Sequence, residues 1–164
     1  MEEKSSNSGR QPVPAWAVSL VLASLSLWVG AAVFFSAAVL PTLFLNLLPS
    51  EAGRIAALVF PIYFRAGLVV GVVATLAAAR IARDGGRRWV AAAALLALMT
   101  VVQGWSAIVM HPEMARIRGV VGQEERFQQL HKLSVRLNSI VLAGGLALLV
   151  AGGYLFVARR DEDS

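Results

Sequence analysis

The sequence predicts an all-α integral membrane protein, a bundle of four membrane-spanning helices, from three observations. Hydrophobic residues make up 57% of the chain and charged residues only 15%, whereas an average soluble domain carries about 25% charged residues. Four apolar stretches are each long enough to cross a hydrocarbon core of about 30 Å as a helix. No stretch shows the alternating pattern of a membrane β-barrel strand.

The first span follows a polar N-terminal segment. Residues 1–14 are mixed in charge and rich in Ser and Gly, so we expect a disordered cytoplasmic tail. Residues 15–40 carry no charge and are longer than the 7–15 apolar residues of a signal peptide, which predicts a retained span. The apolar residues between Pro41 and Pro49 are too few to cross a membrane, and we expect them to lie at its interface.

The second span begins after Ser50 and Glu51, which are typical of a helix N-cap and an acidic first turn. Its membrane part covers residues 58–79, and Pro61 predicts a kink in this second helix. Small residues recur every four positions and predict a ridge for close helix contact. They are Gly67, Gly71, Thr75 and Ala79.

The remaining two spans are separated by a charged stretch. Residues 89–110 carry no charge and have Trp89 and Trp105 as interfacial anchors. Residues 111–130 are mixed in charge and predict an amphipathic segment between spans 3 and 4. Residues 137–158 form the fourth span, so that one four-span domain covers residues 15–158 and a short charged tail covers 159–164.

Residues 80–88 give the strongest signal for orientation, because they hold four arginines around a Gly-Gly turn. Four spans place this loop and both termini on one side of the membrane, which then holds eight of the 15 basic residues. The positive-inside rule predicts cytoplasmic termini in a plasma or inner membrane. We also expect the loop Arg80 to Arg88 to contact anionic lipid.

Composition excludes several function classes. The chain has no cysteine, which excludes disulfides, thiolate metal sites and cysteine nucleophiles. It has no phosphate-binding loop, GxSxG or HExxH motif, and we expect no enzyme. The net charge of +5 is concentrated beside apolar stretches, as the positive-inside rule requires, so we expect no nucleic-acid partner.

A polar stripe leads into the fourth span. In a helix over residues 127–138, His131, Ser134 and Asn138 lie at i, i+3 and i+7 on one face. Polar groups that face hydrocarbon are costly, so this face should turn inward. Two interpretations remain open: a polar site in which His131 binds or relays a proton, or hydrogen bonds that fix helix packing.

Several residues are predicted to pack helices together. Trp28 and Gly30 lie within the first span, near the aromatic residues Phe34 and Phe35. Aromatic residues also surround Pro61, and Gly67 and Gly71 belong to the small-residue ridge. Packing is the favoured interpretation for all of them. A groove for lipid or an apolar ligand is the alternative around Trp28 and Gly30, and a broken helix at a transport site is the alternative around Pro61.

Three motifs occur in a characteristic order. Trp28-Val29-Gly30 precedes Phe34-Phe35 and Pro41, then comes the FPIYF motif of residues 60–64, and last the LHKLS motif of residues 130–134 with Asn138. This ordered set resembles the transmembrane protein 205-like family over residues 15–157. The resemblance implies a four-span membrane domain whose biochemical role is poorly defined. His111 lies outside the family pattern.

The leading hypothesis is therefore a non-enzymatic, multi-pass membrane protein with no cofactor. Its polar inter-helix face would serve transport, membrane stress tolerance or partner binding. One alternative is a small haem- or quinone-linked redox protein that uses His131 and His111. A metal site is not expected, since neither histidine has a second ligand at i+3 or i+4. Another alternative is a lipid-interacting scaffold that works through the glycine ridge, where it would form a homo-oligomer, and through the basic loop of residues 80–88.

Overall fold

In a computed structural model, which describes the backbone of residues 13–162 and the side chains of residues 13–153, the chain folds into four long helices. They are α1 (Ala15–Asn46), α2 (Pro49–Gly85), α3 (Arg87–Ile117) and α4 (Glu124–Glu162). Each of the four is long and apolar enough to cross a membrane, and the described residues contain no strand. The predicted four-helix membrane bundle is confirmed. Residues 1–12 of the predicted tail lie outside the described part of the chain.

Helices α1 and α3 each contain a proline near the C-terminal end, and each has a π-helical turn shortly before it. The π-helical segments Phe35–Val39 in α1 and Ser106–Met110 in α3 each end two residues before a proline, Pro41 and Pro112. A proline ring clashes with the carbonyl four residues earlier in an α-helix, and a π turn moves that carbonyl away. Residues 42–46 therefore continue α1, instead of forming the separate interface segment that the sequence predicted.

Helix α2 runs through Pro61 as a continuous α-helix. Its N-terminus follows the extended residue Leu48 and has Glu51 in the first turn. At its other end Gly86, at φ +79°, reverses the chain and α3 begins at Arg87. The kink at Pro61 stays a prediction.

The predicted amphipathic segment is divided between two membrane helices. Residues His111–Ile117 continue α3 past its π turn, and α4 begins at Glu124. Between them Gly119 and Gly122 have φ values of +73° and +81°, a left-handed conformation that favours glycine and ends helices. The segment between the two spans therefore consists of the end of α3, a short turn and the start of α4, because α3 continues beyond Pro112. His111 consequently belongs to a membrane helix.

The core has an apolar layer near the 80–88 turn and a polar region nearer residues 118–123. The apolar layer packs α1, α2 and α3. Its buried residues are Ala17, Val21, Leu25, Ala74, Ala77, Ala78, Ile81 and Leu96. The candidate site lies in the other half of the bundle.

Candidate functional site

Side chains from all four helices meet in the half of the bundle near residues 118–123. We call this cluster the inter-helix site. Its aromatic members are Phe35, Phe60, Tyr63 and Phe64, and its polar members are Gln103, His111, Ser134 and Asn138.

His111 is the histidine of the inter-helix site. Its side chain is buried, and Nε2 lies 3.3 Å from Oγ of the buried Ser134, which joins α3 to α4. Which of the two groups donates depends on the imidazole tautomer. The ring also packs against Phe60 and Phe64 of α2, with centroid distances of 5.4 and 4.1 Å. One imidazole thus contacts two neighbouring helices.

Tyr63 of α2 contacts both α4 and α1. Its hydroxyl donates a hydrogen bond of 3.2 Å to Oδ1 of Asn138, which joins α2 to α4. Its ring stacks on Phe35 of α1 with a centroid distance of 5.1 Å. A space of about 10 Å³, lined in part by Trp28, Tyr63 and Asn138, lies beside this hydrogen bond. That volume is about what one water molecule needs.

The polar contacts continue deeper between α2 and α3. Nε2 of the fully buried Gln103 donates to the carbonyl oxygen of Phe64 at 3.4 Å. Further along, the hydroxyls of Thr75 and Thr100 lie 3.0 Å apart. From His111 to Thr100 the polar positions of α3 extend over about 16 Å of helix at about 1.5 Å per residue. We call the four contacts His111–Ser134, Tyr63–Asn138, Gln103–Phe64 and Thr75–Thr100 the polar line.

The structure brings together two of the three residues predicted to form the polar stripe. Ser134 and Asn138 face the neighbouring helices, whereas His131 is exposed and stacks on Phe127 at 6.3 Å. His131 lies close to the start of α4, where its side chain is left uncovered. The buried histidine is His111 instead.

Sequence reasoning did not assign His111 to the inter-helix site, because Pro112 indicated a helix end. A signal was present, since His111 directly follows the uncharged stretch 89–110. An ionisable residue so close to a span is a candidate for the bundle interior. Tyr63 and Gln103 are likewise polar residues inside predicted spans.

The predicted packing residues occupy different environments. Trp28 is buried and lies against Gly67 and Gly71, whose missing side chains leave room for the indole ring. Pro61 is half-buried beside Phe60. Gly30 is exposed, and a Cβ atom there would meet nothing within 4 Å, so Gly30 makes no close helix contact.

The arrangement does not fit a haem held between the two histidines. Nε2 of His111 faces Ser134, and the imidazole of His131 stacks on Phe127 instead of facing His111 across an open space. Within the described residues, no group of three His, Cys, Asp or Glu side chains is placed to hold a metal ion. The polar side chains of the inter-helix site are engaged in two pairs, His111 with Ser134 and Tyr63 with Asn138, and Gln103 is bound to the backbone carbonyl of Phe64.

Comparison with known proteins gives two matches. Residues 23–120 match the family model described as "Domain of unknown function (DUF4149)". An uncharacterized protein of Aquifex aeolicus (strain VF5) is 30% identical over 123 residues, which cover 75% of this chain and 86% of that protein. No solved structure matches. The family match includes His111 and Tyr63, whereas Ser134 and Asn138 lie beyond it.

Proposed function

We propose that this chain, which belongs to the family described as "Domain of unknown function (DUF4149)", is a non-enzymatic membrane transport protein whose inter-helix site takes up protons. The family and the four apolar helices support a multi-pass membrane protein. The observation that carries the transport role is the burial of an ionisable residue, His111, at one end of the polar line.

Burial of an ionisable group in a membrane bundle is costly and marks proton or solute pathways. Histidine suits such a role because its ordinary pKa lies near neutral pH. The polar line offers hydroxyl and amide groups beyond His111, at Ser134, Asn138 and Tyr63. The apolar layer near the 80–88 turn lies beyond them. Protons would therefore enter from the end near residues 118–123, and crossing would need a rearrangement of that layer.

We further propose that the resemblance to the transmembrane protein 205-like family reflects a shared architecture. In support, the three motifs that carry it contribute neighbouring residues to the inter-helix site. Phe35 comes from the first motif, Tyr63 and Phe64 from the second, and Ser134 and Asn138 from the third.

Proton entry into vesicles tests the proposal. The purified protein is reconstituted into liposomes that contain a pH-sensitive dye, and an inward pH gradient is imposed. We expect faster acidification than in protein-free liposomes, and we expect His111→Ala to abolish the difference because it removes the titratable group of the polar line. His131→Ala is the matched control, since it removes an exposed histidine, and should leave the rate unchanged.

Thermal unfolding of each variant separates transport from folding. Loss of the hydrogen bond to Ser134 costs about 0.6 kcal/mol on average, and loss of the ring contacts with Phe60 and Phe64 adds a packing cost. We therefore expect His111→Ala to unfold at a lower temperature than the wild type and to remain folded at the temperature of the transport assay. Wild-type liposomes that acidify no faster than protein-free ones would contradict the transport role. An equal loss of acidification rate in His111→Ala and His131→Ala would show that His111 has no specific part in the transport role.

A further inference from the structure

An open groove of about 470 Å³ lies between α3 and α4, separate from the inter-helix site. Its volume is within the range of about 300–1,000 Å³ found for small-molecule sites. We call it the α3–α4 groove. The residues that characterise it are Trp105, Ile108, Val109, Glu113, Arg116 and Arg126.

The wall of the α3–α4 groove is apolar and faces outward. Trp105, Ile108 and Val109 are 42%, 68% and 51% exposed, although all three lie in a helix that is apolar enough to span the membrane. Apolar side chains that are exposed at this depth of a membrane span face the acyl chains of the bilayer. The wall is therefore suited to an acyl chain.

The rim of the α3–α4 groove carries more positive than negative charge. Glu113 is shared by two arginines, at 2.9 Å from Arg126 and 3.5 Å from Arg116. Both guanidinium side chains stay largely exposed, at 62% and 78%. One carboxylate cannot neutralise two cations, so the rim retains a surplus positive charge and exposed donors. This arrangement is complementary to a phosphate group.

The rim and the wall of the α3–α4 groove are separated along the axis of α3, as the charged head and the apolar tail are in a lipid. Arg116 is one residue from the end of α3, and Trp105 lies about 16 Å further along the helix axis at about 1.5 Å per residue. When the end of α3 lies among the headgroups, the wall lies beside the acyl chains. A soluble anion would need only the rim.

We infer that the α3–α4 groove is a binding site for an anionic phospholipid, with the phosphate at Arg116 and Arg126 and one acyl chain along Trp105 and Ile108. This inference goes beyond the proposed proton uptake, which uses the interior of the bundle. It also differs from the lipid contact predicted at residues 80–88, which lies at the other end of the bundle.

Lipid retention measured by native mass spectrometry tests the inference. The full chain is reconstituted into vesicles of equal parts phosphatidylcholine and phosphatidylglycerol, extracted into mild detergent, and its bound lipids are counted. We expect phosphatidylglycerol to be retained over phosphatidylcholine. Two arginines near an anionic lipid favour binding by roughly thirtyfold, and the double variant Arg116→Gln with Arg126→Gln should lose most of that preference.

Two further variants make the test specific. Arg54→Gln with Arg136→Gln removes the same charge from exposed positions outside the α3–α4 groove, and should keep the preference. Ile108→Trp obstructs the wall and leaves the rim unchanged, so it should also lower retention. Equal retention of the two lipids, equal loss in both double variants, or full retention in Ile108→Trp would each overturn the inference.

Discussion

At the residue scale, the contact between Trp28 and the glycines of α2 decides how closely α1, α2 and α3 approach. A Cβ atom at Gly71 would lie 2.8 Å from Oγ1 of Thr100 and 3.1 Å from the Trp28 ring. At Gly67 it would meet Gln103 and lie 3.2 Å from Nε1 of Trp28. Small residues at a membrane-helix interface have this effect, since they let backbones and large rings come together.

Substitution of Gly67 should therefore destabilise the bundle. In Gly67→Val the new side chain competes with Trp28 and the fully buried Gln103 for the same space, and overpacking of this kind costs about 1–3 kcal/mol. We expect a thermal unfolding midpoint in detergent lower by roughly 5 °C. Gly30→Val is the control, because a side chain at Gly30 meets nothing within 4 Å. A similar fall in both variants would contradict the packing role of Gly67.

At the scale of the element, the two π segments explain how α1 and α3 continue beyond their prolines. In each helix the π segment contains one extra residue and lies directly before the last helical residues, which include Pro41 in α1 and Pro112 in α3. The π segments also border the inter-helix site, because Phe35 begins the first segment and His111 follows the second. A π turn resembles an α-helix with one inserted residue, and such turns occur frequently at functional sites.

This interpretation predicts that one residue can be removed from the π turn of α3. Deletion of Ile108 together with Pro112→Ala should convert the turn to α-helix and leave His111 facing α4. Ile108 is suitable because it is 68% exposed. Deletion of Leu98 with Pro112→Ala is the matched control, since Leu98 is 61% exposed but lies in regular α-helix.

The control deletion rotates one half of α3 by about 100° against the other, because an α-helix has 3.6 residues per turn. We expect a folded, monodisperse protein in size-exclusion chromatography for the Ile108 deletion and aggregation for the Leu98 deletion. The opposite order would show that the π turn does not act as an inserted residue.

At the scale of the whole molecule, the four spans were predictable because the hydropathy of each is averaged over many apolar residues, so that no single residue decides it. The shared helix face of Gly67 and Gly71 was also predictable, since it follows from their spacing alone. That this face meets Trp28 was not, because spacing along one helix does not give the partner helix. The inter-helix site was predictable only in part. Which histidine it contains depends on how far α3 continues beyond Pro112, and a proline at such a position more often marks the end of a helix than a π turn that lets it continue.

Orientation in the membrane is the remaining property of the whole molecule, and it decides which compartment the inter-helix site faces. The 80–88 turn concentrates four arginines within nine residues, whereas the five basic residues around the 118–123 turn are spread over residues 111–136. The positive-inside rule, which counts basic residues near the ends of spans, predicts that the 80–88 turn lies in the cytoplasm.

Single cysteines test this orientation cleanly, because the chain has none of its own. Val121→Cys introduces a thiol at a position that is 94% exposed in the 118–123 turn. Asp84→Cys introduces one at the opposite end and leaves every basic residue in place. In intact spheroplasts we expect a membrane-impermeant maleimide to label Val121→Cys at once and Asp84→Cys only after lysis. The reverse pattern would place the inter-helix site on the cytoplasmic side, and protons would then enter it from the cytoplasm.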